Sequence, residues 1–144
     1  MKIYIRILTI LLIVFLSYHA FPSFAKKIQE LGYILEHEKD IAKEESGTHN
    51  GGGMTIGHHF FTKADDLKLV FKKRILHPGS AIGYHLQKED EIYYVVSGKG
   101  EMQMNGKVFQ VKEGDAILTR PGSSHGLKVV GNEDLTIIIN YEKK

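Results

Sequence analysis

Six short runs of β-branched and aromatic residues, each bounded by a turn signal, constrain this chain more than any other feature. They span 54–61, 67–76, 92–96, 108–111, 116–119 and 135–141. All have strand length, and no helical period runs between them. The breaks are His77-Pro78-Gly79, Ser97-Gly98-Lys99-Gly100, Asn105-Gly106, Glu113-Gly114-Asp115, Pro121-Gly122 and Gly131-Asn132. Of these Asn105-Gly106 is the most specific, because both central residues of a type I′ turn need positive φ and Asn and Gly tolerate it. It predicts a hairpin of 101–104 with 107–111. Many short strands at even spacing predict an all-β fold, an antiparallel barrel or sandwich, in one domain.

The ends of the sequence read differently. Lys2 and Arg6 precede an apolar run from Ile7 to Leu16, and Ser23-Phe24-Ala25 precedes Lys26. That is the layout of a cleavable secretory signal over 1–25. An uncleaved anchor is the rival, but the apolar run is short of the ~20 residues that a span requires. A periplasmic or secreted protein with no stable membrane anchor is expected. Residues 26–53 read as a polar arm that ends in the glycine-rich Ser46–Gly53 loop, and 54–144 as the β-domain.

Charge and cysteine content narrow the partners. The chain has 19 Lys and Arg against 17 Asp and Glu. Loss of Lys2 and Arg6 with the signal brings these into balance, and the bases are interleaved with acids. A nucleic-acid partner calls for a basic excess or stripe, so none is expected. There is no cysteine, so an oxidising compartment raises no disulfide question.

The chemistry-bearing residues lie in two places. His85 and Gln87 share strand parity, and Glu91 keeps it if no bulge intervenes. His125 follows the Pro121-Gly122 turn, which can bring an imidazole to the same cavity. Two histidines, a carboxylate and an amide oxygen make a shell for one divalent ion, Zn, Mn, Fe or Ni. The bland alternative is a metal-free pocket in which these groups bond to one another. Against it stands the cost of leaving buried polar groups unpaired, ~1–3 kcal/mol each.

These spacings resemble the two motifs of the cupin superfamily. The first is G-x5-H-x-H-x3-4-E-x6-G, matched by Gly79, His85, Glu91 and Gly98, with Gln87 in place of the second His. The second is G-x5-P-x-G-x2-H-x3-N, matched by Gly114, Gly122 and His125, with Arg120 and Val129 replacing its Pro and Asn. Two spaced motifs are more specific than a lone pattern. The resemblance is to small single-domain cupins of undefined activity. It implies a jelly-roll β-barrel with a metal in its interior, held by His85, Gln87, Glu91 and His125, and often a homodimer.

Four further residues complete the expectation. Tyr93 shares the inner face with Glu91, and either would move a proton; a Tyr that fills the barrel is the plain reading. His58, on a face with Met54, Ile56 and Phe60, is better placed than His59 to line the pocket, with a packed, hydrogen-bonded histidine as the plain reading. Arg120, near the barrel entrance, is placed to hold an anionic group of the substrate; a surface Arg is the alternative. His49 lies in the glycine-rich loop as a lid residue or in an ordinary flexible loop. The function that follows is a metal-dependent isomerase, epimerase or lyase for a small polar or anionic molecule such as a sugar or hydroxy acid. The alternatives are a metal-dependent dioxygenase and a noncatalytic small-molecule or metal-binding module.

Overall fold

The computed structural model describes residues 32–143. The signal assigned to 1–25, and the arm as far as 31, lie outside them. The chain divides between Leu35 and Glu36, and everything below concerns the unit from Glu36 onward. Among the described residues no helix is long and apolar enough to cross a membrane.

One short helix, α1 (Glu38–Ile41), precedes ten strands: β1 (Ala42–Ser46), β2 (Met54–Phe60), β3 (Leu69–Leu76), β4 (Ala81–Leu86), β5 (Glu91–Ser97), β6 (Lys99–Met104), β7 (Lys107–Lys112), β8 (Ala116–Thr119), β9 (Ser124–Val129) and β10 (Leu135–Glu142). They form a six-stranded sheet, β1-β2-β3-β10-β5-β8, and a four-stranded sheet, β4-β9-β6-β7. This is the jelly-roll arrangement expected from the sequence. The Asn105-Gly106 turn has both residues at positive φ (47° and 79°), and it joins β6 and β7 in the register Met104↔Lys107.

One boundary differs. The stretch read as a polar arm contributes β1, which pairs with β2 from Ala42↔His58 to Ser46↔Met54. Its sequence, AKEES, has no apolar alternation, because its backbone hydrogen bonds and the Glu45 carboxylate hold it rather than burial of hydrophobic side chains.

Alternation on β5 is strict. Glu91, Tyr93 and Val95 are buried, whereas Ile92, Tyr94 and Val96 are exposed. One apolar core joins both sheets: Leu76, Val95, Leu135 and Ile137 from the larger, Ile82, Met102, Val111 and Leu127 from the smaller. The interior is not apolar throughout. Register places Leu76, Arg74 and Lys72 of β3 opposite Leu135, Ile137 and Ile139 of β10. Further along β10, Val95, Tyr93 and Glu91 of β5 lie opposite Ile137, Ile139 and Tyr141. Hydrophobic rows thus give way, strand by strand, to polar ones.

Candidate metal centre

His85 and His125 are register partners on β4 and β9, so their imidazoles stand side by side on the inner face of the smaller sheet. Glu91 starts β5 in the other sheet. Parity along a single strand is therefore not what unites them. The chain crosses between the sheets after Leu86, and the ligand atoms meet across the interior. One ligand atom from each of His85, Glu91 and His125 lies within 4.8 Å of the other two.

The local bonding suits ligation. His85 Nδ1 lies 2.8 Å from the Gly83 carbonyl; an N–H donated there leaves Nε2 with its lone pair free. His125 is fully buried, and its Nε2 is 3.2 Å from Glu91 Oε2. Yet Glu91 Oε2 and His125 Nδ1 are both buried without a hydrogen-bond partner among the described residues. The two side chains approach each other without aligning for a hydrogen bond, as groups do that converge on a common point. A buried acceptor left unpaired is costly, and a cation would satisfy it. The residues present fit a divalent ion.

Gln87 is buried and lines the same cavity. It does not lie on a strand. β4 ends at Leu86 after an irregularity between Ile82 and His85, and Gln87 is fixed by its backbone instead. Its N–H donates to the Ser123 carbonyl at 2.8 Å, and its carbonyl accepts from Gly122 N–H at 2.9 Å. The Pro121-Gly122 turn, whose glycine has φ 87°, thus positions both Gln87 and His125.

Tyr93 is buried, with its hydroxyl 3.2 Å from His125 Nε2. Burial, the Glu91 charge and a hydrogen bond to Glu91 push the phenol well above its usual 10.0. It stays protonated and acts as a donor, not a base.

The cavity holds about 280 Å³ and is lined by His85, Gln87, Glu91 and Tyr93 together with His49, Lys72, Arg74 and Tyr141. That volume suits a small molecule. His49 stacks flat on His85, with centroids 3.5 Å apart and planes within 3°. Burial, then the His85 charge, lowers its pKa below 6.5, with His125 and Lys72 adding and Glu91 opposing. The loop that carries His49 is braced: Gly83 N–H donates to the Thr48 carbonyl at 2.9 Å. A Cβ on Gly83 would collide with the His49 carbonyl.

Two expected pocket residues lie elsewhere. Arg120 follows Thr119, which points inward on β8, so Arg120 points out; its side chain is 71% exposed and pairs with Asp90 at 2.9 Å. His58 is buried but on the far face of β2. The cavity-side face is that of Thr55 and His59, which contact Arg74 and Glu45 at 2.7 and 2.9 Å. The expectation for His58 assumed that apolar Met54, Ile56 and Phe60 marked the inner face, but here that face is polar.

Neither Lys72 nor Arg74 was among the residues expected to line the pocket. Their signal was present: both share strand parity with Val70 and Leu76, which are core residues. Arg74 is buried, donating to Thr55 Oγ1 at 2.7 Å and to Glu45 Oε2 at 2.9 Å. Lys72 donates to the Tyr141 hydroxyl at 3.1 Å.

A two-sheet jelly roll with histidines and a carboxylate converging inside it defines a β-barrel of the cupin type with a candidate metal centre. Comparison with known proteins agrees. Residues 73–141 match the model of the Cupin domain family. An oxalate-binding protein of Thermotoga maritima is 40% identical over 110 residues, which cover 74% of this chain and 91% of that protein. The chain belongs to the cupin family. Among solved structures, a predicted oxalate decarboxylase of Thermotoga maritima superposes with a TM-score of 0.70 at 30% identity, covering 77% of this chain and all of that one. The polyketide cyclase of Streptomyces resistomycificus, at 17% identity and TM-score 0.65 over 78% of this chain and 81% of that one, shares the fold.

Proposed function

We propose that this protein holds one divalent metal ion on His85, Glu91 and His125, with Gln87 beside them, and binds a small carboxylate anion of the oxalate class at that ion. The observation that carries the reading is the unpaired, buried Glu91 Oε2 facing two imidazoles across 4.8 Å or less. The names of the two Thermotoga proteins support oxalate as the first anion to test. A metal so held supplies a Lewis-acidic position for an anionic oxygen. The protein's own part is to exclude bulk water, to orient the ligand and to keep a phenolic proton at Tyr93.

Metal analysis of the purified protein, followed by calorimetric titration of the metal-loaded form with oxalate, tests this. One equivalent of metal and saturable oxalate binding are expected. A protein that retains no transition metal sinks the metal assignment, and a loaded protein blind to oxalate sinks the ligand. A second reading, a lyase, is favoured by Tyr93, a protonated donor within the site. It requires formate to appear from oxalate; unchanged oxalate over many hours leaves the protein a binder.

Export belongs to the same proposal. It calls for a mature N-terminus at Lys26 and recovery from the periplasm or medium. A homodimer is expected in solution, read by light scattering.

A further inference from the structure

The metal ligands account for one end of the cavity. The opposite wall belongs to β3, which presents two cations, Lys72 and Arg74. They are not equivalent. Arg74 is already matched by the Glu45 carboxylate and by Thr55, at 2.9 and 2.7 Å. Glu45 also takes His59 at 2.9 Å, so the four form a closed set. Among the described residues the hydrogen-bond partner of Lys72 Nζ is a neutral phenol, the Tyr141 hydroxyl, and no carboxylate pairs with it. An ammonium that lines a cavity with only a neutral acceptor keeps most of its capacity to bind an anion.

Its place in the sheet is suitable. Lys72 and Tyr93 are both register partners of Ile139, one on each side. They lie in one row of the inner face, two strand spacings or roughly 10 Å apart at Cα. Glu91, opposite Tyr141, lies one inward-facing row further along. A small anion that touches the metal centre at one end has its other end turned toward β3. The Tyr141 hydroxyl keeps the lysine in the cavity, and no ion pair has to break for it to be used.

We propose that Lys72 anchors the anionic group of the ligand that the metal centre does not hold, and so selects dianions over monoanions in this cavity. The proposal rests on the carboxylate reading given above and deepens it. Lys72 is thus a specificity residue, and Tyr141 positions it.

The test is calorimetric titration of metal-loaded protein with oxalate, and with oxamate, in which one carboxylate is replaced by a neutral amide. Unmodified protein, Lys72→Met and Lys72→Arg are compared, with metal content measured for each. Lys72→Met should weaken oxalate binding by roughly tenfold or more. It should also shrink the preference for oxalate over oxamate, and leave the metal equivalent unchanged. Lys72→Arg should keep the preference, because the charge is retained. If Lys72→Met binds oxalate as the unmodified protein does, or if Lys72→Arg loses as much as Lys72→Met, the assignment of Lys72 is overturned. Failure of the unmodified, metal-loaded protein to bind oxalate overturns the carboxylate reading itself. If Lys72→Met does not fold, Lys72→Arg and the oxalate-to-oxamate ratio of the unmodified protein decide: a ratio near one overturns the proposal.

Discussion

The two ends of the interior solve opposite problems with the same strands. At one end Leu76, Val95, Met102, Leu127, Leu135 and Ile137 are fully or almost fully buried and touch one another. At the other, the same β3, β5 and β10 carry Lys72, Arg74, Glu91, Tyr93 and Tyr141 into a cavity. The apolar end holds the sheets together by removing hydrocarbon from water. The polar end contributes little to that and depends on partners. Some of its groups have them, as in Glu45, Arg74 and Thr55; others, Glu91 Oε2 and His125 Nδ1, do not. Stability and ligand binding should therefore separate by mutation.

The largest effect belongs to the apolar end. Ile137→Ala removes a side chain with no exposure from the centre of β10. Chemical denaturation should show a loss of about 2–5 kcal/mol, the range for large-to-small changes in a packed core. The fraction that remains folded should still carry its metal. Loss of metal in proportion to lost stability would show that the two ends are one cooperative unit.

Next comes the ligand end. His125→Ala or Glu91→Gln should abolish stoichiometric metal retention. Among the metal-free proteins Glu91→Gln should melt no lower than the unmodified chain, whereas His125→Ala should melt lower because it empties a fully buried site and breaks the contact with the Tyr93 hydroxyl. Glu91→Gln neutralises a buried carboxylate whose Oε2 has no hydrogen-bond partner among the described residues, so no made bond is lost at that atom. Elemental analysis and thermal melts in chelator check both halves. A large drop in the metal-free melting temperature of Glu91→Gln would mean that this side chain serves the fold rather than the metal.

The same contrast explains how much could be read from the sequence. The apolar runs gave β2, β3, β5, β7, β8 and β10, and Asn105-Gly106 gave the hairpin, because side-chain burial and turn chemistry are local signals. His85, Glu91 and His125 were legible as motif positions, although the parity argument that joined His85 to Glu91 does not hold. They come from facing sheets, and crossing between sheets leaves no period in a sequence. β1 was illegible since AKEES carries no apolar alternation. His58 was misplaced for the converse reason: on β2 the inward face is the polar one, with Thr55 and His59 committed to Arg74 and Glu45. Where a wall is built from paired charges, hydrophobicity points the wrong way.

Glu45 offers a smaller, pH-dependent way to sharpen the comparison. Burial alone would raise its carboxyl, but hydrogen bonds from Arg74 and His59 outweigh burial and hold the pKa below 4.5. A carboxyl with a lowered folded-state pKa stabilises the fold above its unfolded value, and this is lost as pH falls through the folded one. Stability should accordingly decline as pH drops below about 4.5. Glu45→Gln should be less stable at neutral pH and show a flatter decline below that point, as followed by denaturation at a series of pH values. An unchanged acid limb would place the acid sensitivity elsewhere.

The smallest effect is expected outside the barrel, at Arg120. Its place near the barrel entrance suggested an anion-binding role, but β8 alternation spends its inward place on Thr119 and turns the guanidinium to solvent beside Asp90. Exposed pairs of this kind contribute about 0–1 kcal/mol. Arg120→Ala should therefore change stability by less than about 1 kcal/mol and leave both metal content and oxalate affinity where they were. Lys72→Met, a change of one charge on the inner face, should weaken the same ligand roughly tenfold. The two variants lose the same charge and differ in which face of a strand it occupied. If Arg120→Ala weakens oxalate as much as Lys72→Met does, attraction is long-range and the inner wall confers no selectivity. Such long-range attraction would also fade in high salt, whereas a contact made inside the cavity would persist.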